Sequence, residues 1–191
     1  MQNAERLAVV LSALLVLTIS TGSPIISASV SAQNSVSKYI VEFEVPTPNS
    51  APLAITVDAN GRVWFTESNV SKLAMYDPVS ESFSEYNVPW LGDMWSVITD
   101  PLGHVWFTQY SGKGNVSPGG AIVGGGSGRI VRFDFATRNF TSFPIPTNGS
   151  FPMRVTMDQH GRIWFTEFLG NKIGVFDPVS SRMQEYRVPA N

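Results

Sequence analysis

Residues 58–67 read DANGRVWFTE. The same pattern returns at 100–109 as DPLGHVWFTQ and at 158–167 as DQHGRIWFTE. Such a repeat decides the architecture before any single motif is considered, because each copy is one supersecondary unit that buries its apolar face against its neighbour.

Each copy divides into four short predicted strands. In the first copy they cover 54–58, 62–67, 72–76 and 82–88, and Asp-x-x-Gly and Asp-Pro turns separate them. Proline and glycine fall at the breaks, where they remove no ladder hydrogen bonds. A four-stranded unit of about 40 residues is typical of a β-propeller blade.

The copies predict an all-β chain with blades at about 51–89, 93–146 and 152–189. The first two tryptophans of the motif are 42 positions apart and the next two are 58 apart. The surplus is a glycine-rich insertion around 112–128, between the second and third strands of the second blade. Long insertions on a regular scaffold often carry function.

A lone outer strand precedes the first full blade. Residues 42–46 read EFEVP and match the last strands at 85–89 and 185–189. Because propellers contain about four to eight blades, three blades and one strand predict an incomplete ring. We expect either a partial chain or the assembly of two or more copies into one ring.

Residues 1–32 have the pattern of a secretory signal: Arg6, an apolar run from Leu7 to Ile19, and a small-residue ending at Ala32. The mature chain would start near Gln33, in a secreted or cell-envelope protein. The alternative is an uncleaved membrane anchor. The chain has no cysteine, so an exported fold must depend on packing and sheet hydrogen bonds. The formal net charge of −2 argues against nucleic acid as a partner.

The repeat resembles the streptogramin lyase family, also called virginiamycin B lyases. The resemblance rests on the Asp-x-x-Gly-x-Val/Ile-Trp-Phe-Thr-Glu motif, on Asn-Lys-Ile-Gly at 171–174 and on Glu-Tyr-x-Val-Pro. It implies a seven-bladed propeller that linearises a cyclic depsipeptide by β-elimination across an ester, with magnesium. Fold resemblance alone does not carry the reaction over, because function resides in the site.

The resemblance also indicates where the reaction's base and metal ligand would stand. The positions aligned with the lyase histidine hold Leu53, Trp95 and Met153. The positions aligned with the lyase's metal-binding glutamate hold Ala51, Asp93 and Phe151. None of the first three can take a proton, so no catalytic residue is predicted within this chain.

Carboxylates at the ends of second strands are the predicted metal ligands. Glu67 and Glu167 end these strands, which in a propeller converge on one face near the central channel. Together with Asp93 they could bind a hard cation such as Mg²⁺ through oxygen. The alternative is that they cap strand ends or pair with Lys72 and Lys172.

Aromatic residues beside the insertion predict a recognition surface on the same face. Trp90 and Trp95 flank the linker between blades one and two, and Gln109 and Tyr110 end a second strand next to the insertion. A small molecule or a protein could bind there; ordinary packing is the alternative. Trp64, Trp106 and Trp164 are predicted to be buried between blades. His104 and His160 are predicted to be turn residues on the opposite face.

Two functional hypotheses remain from the sequence. The first is an exported recognition or scaffold module without activity of its own. The second is a metal-dependent lyase-like enzyme that cleaves an ester or lactone, with its base in other blades or in a partner subunit.

Overall fold

The computed structural model describes residues 40–112, 115–116, 122–123 and 126–189. The predicted signal at 1–32 lies outside these residues. All three blades belong to one unit that begins at Phe43. No helix among the described residues is long and apolar enough to cross a membrane; the described part contains one 3₁₀ turn, Ser68–Val70.

Each repeat forms one four-stranded antiparallel sheet, which confirms the predicted blades. The strands of blade 1 are β1 (Pro52–Val57), β2 (Val63–Glu67), β3 (Lys72–Asp77) and β4 (Ser82–Asn87). Blade 2 contains β5 (Asp93–Thr99), β6 (His104–Ser111), β9 (Ser127–Asp134) and β10 (Asn139–Pro144), and its insertion contains the short pair β7 (Asn115–Val116) and β8 (Ile122–Val123). The strands of blade 3 are β11 (Pro152–Met157), β12 (Ile163–Glu167), β13 (Lys172–Asp177) and β14 (Arg182–Arg187).

The first strands of the blades lie side by side, with β5 between β1 and β11. Each first strand contains a β-bulge near its start, between Met94 and Ser96 in blade 2 and at the equivalent places in the other two blades. Bulges re-aim side chains and are frequent beside functional sites. We call the end of the sheets where β2, β6 and β12 finish the channel face, and the opposite end the turn face.

The aspartate that begins each repeat motif fixes the turn between the first and second strands. Asp58 Oδ1 accepts hydrogen bonds from the backbone N–H groups of Asn60 and Arg62, at 2.9 and 3.1 Å. Its Oδ2 accepts from Arg62 Nε at 2.7 Å and from Trp64 Nε1 at 3.0 Å. The turn, the second strand and the interior tryptophan are therefore held by one carboxylate. The other blades repeat the bond to tryptophan.

Aromatic residues form the interface between successive blades. The Trp64 ring is fully buried and lies 5.8 Å from the Phe133 ring of blade 2. Trp106 is equally buried, 6.1 Å from the Phe176 ring of blade 3. The prediction of burial is confirmed for these two residues and is wrong for Trp164, which is half-buried. No described blade packs against the face of blade 3 that carries Trp164.

The segment at 42–46, predicted to be an outer strand, is not paired with any described strand. Its position is nevertheless that of an outer strand. Phe43, which aligns with Tyr86, lies 4.7 Å from the Tyr76 ring of blade 1. Tyr86 lies at the same distance from Phe133 in the next blade. The segment therefore occupies the place that the last strand of a preceding blade would take.

The three blades form an open arc, so the predicted incomplete ring is confirmed. On blade 1 the open flank contains an apolar cavity of about 440 Å³, lined in part by Phe43, Phe65 and Ile55, of which Ile55 is 70% exposed. On blade 3 the open flank exposes Ile173 and Tyr186. Burying exposed apolar surface of this kind lowers the free energy.

Candidate functional site

Glu67 and Glu167 are buried at the channel face, 0% and 1% exposed. Among the described residues, no hydrogen-bond partner of normal geometry reaches the carboxyl oxygens of either residue. Burial raises the pKa of Glu67. Burial also raises the pKa of Glu167 to about 7, with a further contribution from the negative charge of Glu185. These carboxyl groups are therefore held in surroundings that favour the protonated form.

The alternative in which these carboxylates pair with lysine is not what the structure shows. Lys72 lies opposite Glu67 in the ladder, but its Nζ donates to Glu85 Oε2 at 2.6 Å and to Thr47 Oγ1 at 2.7 Å. The lysine side chain crosses toward the outer strand, where Thr47 also donates its N–H to Glu85. We call this trio the linker clamp, since it ties the segment that precedes a blade to that blade.

Blade 3 contains the same clamp. Lys172 Nζ donates to Glu185 Oε2 at 2.9 Å and to Thr147 Oγ1, and the Thr147 N–H donates to Glu185 Oε1. Burial alone would raise the pKa of Glu185, but the hydrogen bonds from Lys172 and Thr147 outweigh it, so the pKa is lowered. Two carboxyl groups with opposite shifts thus lie close together.

The described residues do not fit a magnesium site. They contain no group of three or more acidic or histidine side chains placed to hold a cation. Glu67 and Glu167 belong to different blades, while Asp93 is exposed at the start of β5. Magnesium takes six oxygen ligands in an octahedron, and carboxylates that share one ion must lie within reach of the same centre. The structure therefore does not bring the three predicted ligands together.

The three positions aligned with the lyase base lie in the bulges of the first strands. Leu53 is 51% exposed, whereas Trp95 and Met153 are half-buried. The two histidines lie on the turn face, where His104 is bound to Asp100 and His160 is exposed in the turn before β12. The described part of the channel face therefore has no histidine at its bulges.

The predicted recognition residues cluster at the base of the insertion. Trp90 and Trp95 are half-buried, while Gln109 and Tyr110 are 0% and 1% exposed. Gln109 Nε2 donates to the Trp90 carbonyl at 2.8 Å. The rings of Tyr110 and Trp95 lie 4.7 and 5.3 Å from the Phe151 ring. Tyr110, Trp95 and Phe151 thus form one aromatic layer between blades 2 and 3, whereas Trp90 packs against the core between blades 1 and 2.

Several polar atoms of this cluster are buried without partners. They are Trp95 Nε1, Gln109 Oε1, Tyr110 Oη and Ser150 Oγ. An unmet buried donor or acceptor costs about 1–3 kcal/mol, so native proteins normally supply a partner. Where no protein atom is within hydrogen-bond distance, such groups bind ordered water or a ligand.

Sequence reasoning missed Arg129, which lies beside this cluster. Arg129 stands opposite Gln109 in the ladder, as Lys72 stands opposite Glu67. Its guanidinium carbon lies 5.6 Å from the Trp90 ring centroid, and its Nη2 donates to Ser111 Oγ at 3.2 Å. Burial lowers its pKa. The signal was in the repeat itself, since Gln109 replaces the buried glutamate of the other blades.

The replacement extends to the outer strand. The position of Glu85 and Glu185 is Ser142 in blade 2, so the clamp's acceptor is missing there. Blades 1 and 3 thus present two carboxyl groups around one lysine, whereas the corresponding positions beside Arg129 are Gln109 and Ser142. Among the described residues, Arg129 forms no ion pair and lies beside the Trp90 ring.

The profile of the virginiamycin B lyase family matches residues 31–191 of this chain. The chain belongs to the virginiamycin B lyase family. A curated virginiamycin B lyase from Bacillus licheniformis is 50% identical over 36 residues, which are 19% of this chain and 12% of that protein.

Solved lyases of the family resemble the chain over most of its length. A streptogramin B lyase is 27% identical and is matched over 78% of this chain and 59% of its own, with a TM-score of 0.45. A catalytically inactive virginiamycin B lyase from Staphylococcus aureus, solved with quinupristin, is 22% identical over 78% and 59% of the two chains, with a TM-score of 0.43. The chain spans about 59% of the length of these solved relatives.

Proposed function

We propose that this chain is an exported β-propeller recognition module that binds its ligand at the channel face of blade 2. The observation that carries the proposal is the set of buried, unpartnered polar atoms on Trp95, Gln109 and Tyr110. Among the described residues these atoms have no partner, so a bound ligand or ordered water would satisfy them. They lie beside the insertion that distinguishes blade 2 from its sisters.

The family suggests the ligand class. Its members include a lyase solved with quinupristin. We propose a cyclic depsipeptide of the streptogramin B type for this chain, because such a ring offers carbonyl and N–H groups to the unpartnered atoms. Its aromatic and apolar side chains would contact Trp90 and Trp95, and Arg129 would donate to its carbonyls.

A titration with quinupristin tests the proposal. We expect saturable quenching of tryptophan fluorescence that is weakened by Trp90→Ala and by Arg129→Gln. Loss of one hydrogen bond from a charged donor should weaken binding by about tenfold or more. Arg187→Gln, an exposed arginine on β14, is the matched control and should bind as the parent chain does. Equal binding by all variants would contradict the placement, and no binding would contradict the ligand class.

The same mixture separates recognition from catalysis. We expect mass spectrometry to detect no linear product, with or without magnesium, because Leu53, Trp95 and Met153 cannot remove the α-proton. A linear product would contradict a module without activity and would support the lyase hypothesis, with a base that these positions do not provide.

We also propose that the two open flanks are covered by further blades, either of the same polypeptide or of a second copy. The support is that an aromatic contact between an outer strand and the third strand of the next blade is made twice between blades, and that no described third strand meets the outer-strand Tyr186. Export is proposed from the signal pattern at 1–32. Expression in a bacterial host should give a mature protein whose measured mass corresponds to a chain that begins near Gln33. A protein with an intact amino terminus in the membrane fraction would support the uncleaved anchor instead.

A further inference from the structure

The groove between blades 2 and 3 on the turn face contains a second cavity, with a volume of about 360 Å³. Its polar lining consists of Asp100, His104, Arg132 and His160. Its apolar lining includes Leu102, Met157 and Val179. The volume is in the range of small-ligand pockets, and the cavity lies on the face opposite the predicted recognition residues.

The neighbouring interface explains why this space is open. Between blades 1 and 2, the guanidinium carbon of Arg62 lies 4.4 Å from the Phe135 ring centroid, and Trp64 meets the same ring edge-on at 5.4 Å. The equivalent positions between blades 2 and 3 are His104 and Pro178. Both residues are smaller than their counterparts, so the repeat leaves unfilled volume at this one interface.

The wall of this cavity contains a charged residue, Arg132, where the other blades have apolar residues. Trp64 stands opposite Met75 in its ladder, and Trp164 stands opposite Val175. In blade 2 the partner of Trp106 is Arg132. Two sister blades therefore use apolar residues, each 6% exposed, at the position where blade 2 uses a cation.

Arg132 lacks the contacts that normally accompany a half-buried arginine. Its Nε is buried without a hydrogen-bond partner, and the ion pairs found among the described residues do not include it. Its guanidinium carbon lies 5.8 Å from the Trp106 ring centroid. An unpartnered buried donor on a cation is costly, so this site calls for an anion.

Asp100 does not provide that anion. Its carboxylate already accepts from His104 Nδ1 at 2.7 Å, from Trp106 Nε1 at 2.8 Å and from two backbone N–H groups at 2.9 Å. The bond at Nδ1 orients the His104 ring, and Nε2 of the neutral ring is then an acceptor. Arg132, His104 and the exposed His160 thus surround a polar corner beside an apolar wall.

We propose that the turn-face cleft binds a small organic acid whose carboxylate is held by Arg132 and whose apolar body contacts Met157 and Val179. The planar guanidinium suits a carboxylate. A phosphate dianion fits less well, because its second negative charge would face one arginine in a cleft that Asp100 also lines.

Phenylacetate, with the neutral phenylacetamide as its matched control, tests the proposal on the full chain. The reporter is the ¹H–¹⁵N signal of the Trp106 indole, whose N–H lies in the cleft wall. We expect a saturable shift with phenylacetate below about 10 mM, the range for a fragment with one charge-assisted contact. Phenylacetamide should give a shift at least about tenfold weaker.

Two variants separate the charge from the space. Arg132→Met restores the residue of blade 1 and should abolish the response while the melting temperature is kept or raised. His104→Arg combined with Pro178→Phe copies the filled groove of the first interface and should also abolish it. Arg187→Met is the control for losing an arginine elsewhere. Equal responses to acid and amide, no response to either, or an unchanged response in Arg132→Met would each overturn the proposal. If Arg132 only supports the fold, Arg132→Met would lower the melting temperature and phenylacetate would shift nothing.

Discussion

At the scale of single residues, one aspartate per blade connects the turn to the interior. Asp58 is 8% exposed and accepts four hydrogen bonds, two of them from the side chains of Arg62 and Trp64. Burial by itself would raise its pKa, but these bonds outweigh it and the pKa is lowered. The carboxylate therefore contributes stability that is present above its unfolded pKa and is lost as the pH falls through the folded value.

We expect Asp58→Ala to lower the free energy of unfolding by about 2–4 kcal/mol, because it leaves the buried Trp64 N–H without an acceptor and removes several bonds to a charged group. Urea denaturation at pH 7 measures the loss. Asp134→Ala removes a turn aspartate that is bonded only to backbone N–H groups, so it should cost less. Equal losses for the two variants would contradict the role given to the tryptophan bond.

Glu167 has the opposite effect on stability. Its pKa rises from the usual 4.5 to about 7, chiefly through burial. The folded chain therefore holds a proton that the unfolded chain releases between these two values. The stability associated with Glu167 is fully present below pH 4.5, falls as the pH rises to about 7, and stays low above it.

Glu167→Gln should consequently stabilise the chain at pH 8 by up to about 3 kcal/mol, because a pKa difference of one between the folded and unfolded chain is worth about 1.4 kcal/mol. The change copies Gln109, the equivalent residue of blade 2. Thermal unfolding at pH 5 and pH 8 measures it, and the gain should nearly vanish at pH 5. Glu185→Gln is the control: it removes the acceptor of Lys172 and should destabilise at both values. A gain that is independent of pH would contradict the raised pKa.

At the scale of elements, glycines set how the insertion joins blade 2. The Tyr110 hydroxyl lies where side chains on Gly112 and Gly126 would stand, with contacts of 2.9 and 2.6 Å from their Cβ positions. A Cβ on Gly128 would meet Ser150 Oγ at 2.4 Å and Pro152 Cδ at 2.7 Å. The linker to blade 3 can therefore pass β9 only because residue 128 has no side chain.

We expect Gly128→Ala to lower the free energy of unfolding by about 1–3 kcal/mol through overpacking. The companion change Ser150→Ala removes the nearest atom. A double-mutant cycle should therefore show coupling, with the pair costing less than the two single changes added together. Strict additivity in urea titrations of the four proteins would show that the contact with Ser150 is not the cause.

At the scale of the whole molecule, the same aromatic contact marks every blade boundary. Tyr86 lies 4.7 Å from Phe133, and Phe143 lies 4.3 Å from Phe176. The two open flanks carry the two halves of this contact: Tyr186 on blade 3, which meets no described third strand, and Tyr76 on blade 1, which Phe43 covers. Because the halves differ, a contact between two copies would be head to tail.

We expect sedimentation velocity on the chain to show self-association at tens of micromolar, driven by roughly 25 cal/mol per Å² of buried apolar surface. Ile55→Lys on the blade 1 flank and Ile173→Lys on the blade 3 flank should each reduce it. An equal mixture of the two variants should form dimers, because one intact flank of each kind remains. Phe43→Ala should increase association by freeing Tyr76.

Three outcomes would count against flank pairing. They are a stable monomer of the parent chain, a mixture that remains monomeric, and a Phe43→Ala variant that associates no more than the parent. Ser180→Lys, in an exposed turn of blade 3, is the control for added charge and should associate as the parent does.

The sequence by itself determined the blades, their strands and the position of the insertion. These follow from alternation, turn chemistry and repetition, which act over a few residues and recur in each copy. The burial of Trp64 and Trp106 could be predicted for the same reason. The altered pattern around Arg129 and Arg132 was also readable, once each residue was compared with its counterparts in the other blades.

Only the tertiary structure decided which neighbours the side chains meet. Lys72 turns to Glu85 instead of Glu67, and Trp164 stays half-buried because no described blade packs against its face. The unpartnered atoms around Tyr110 and the cleft beside Arg132 arise where two different blades touch. Such contacts join residues far apart in the chain, and their fit depends on the sizes of both partners at once, so no local pattern encodes them.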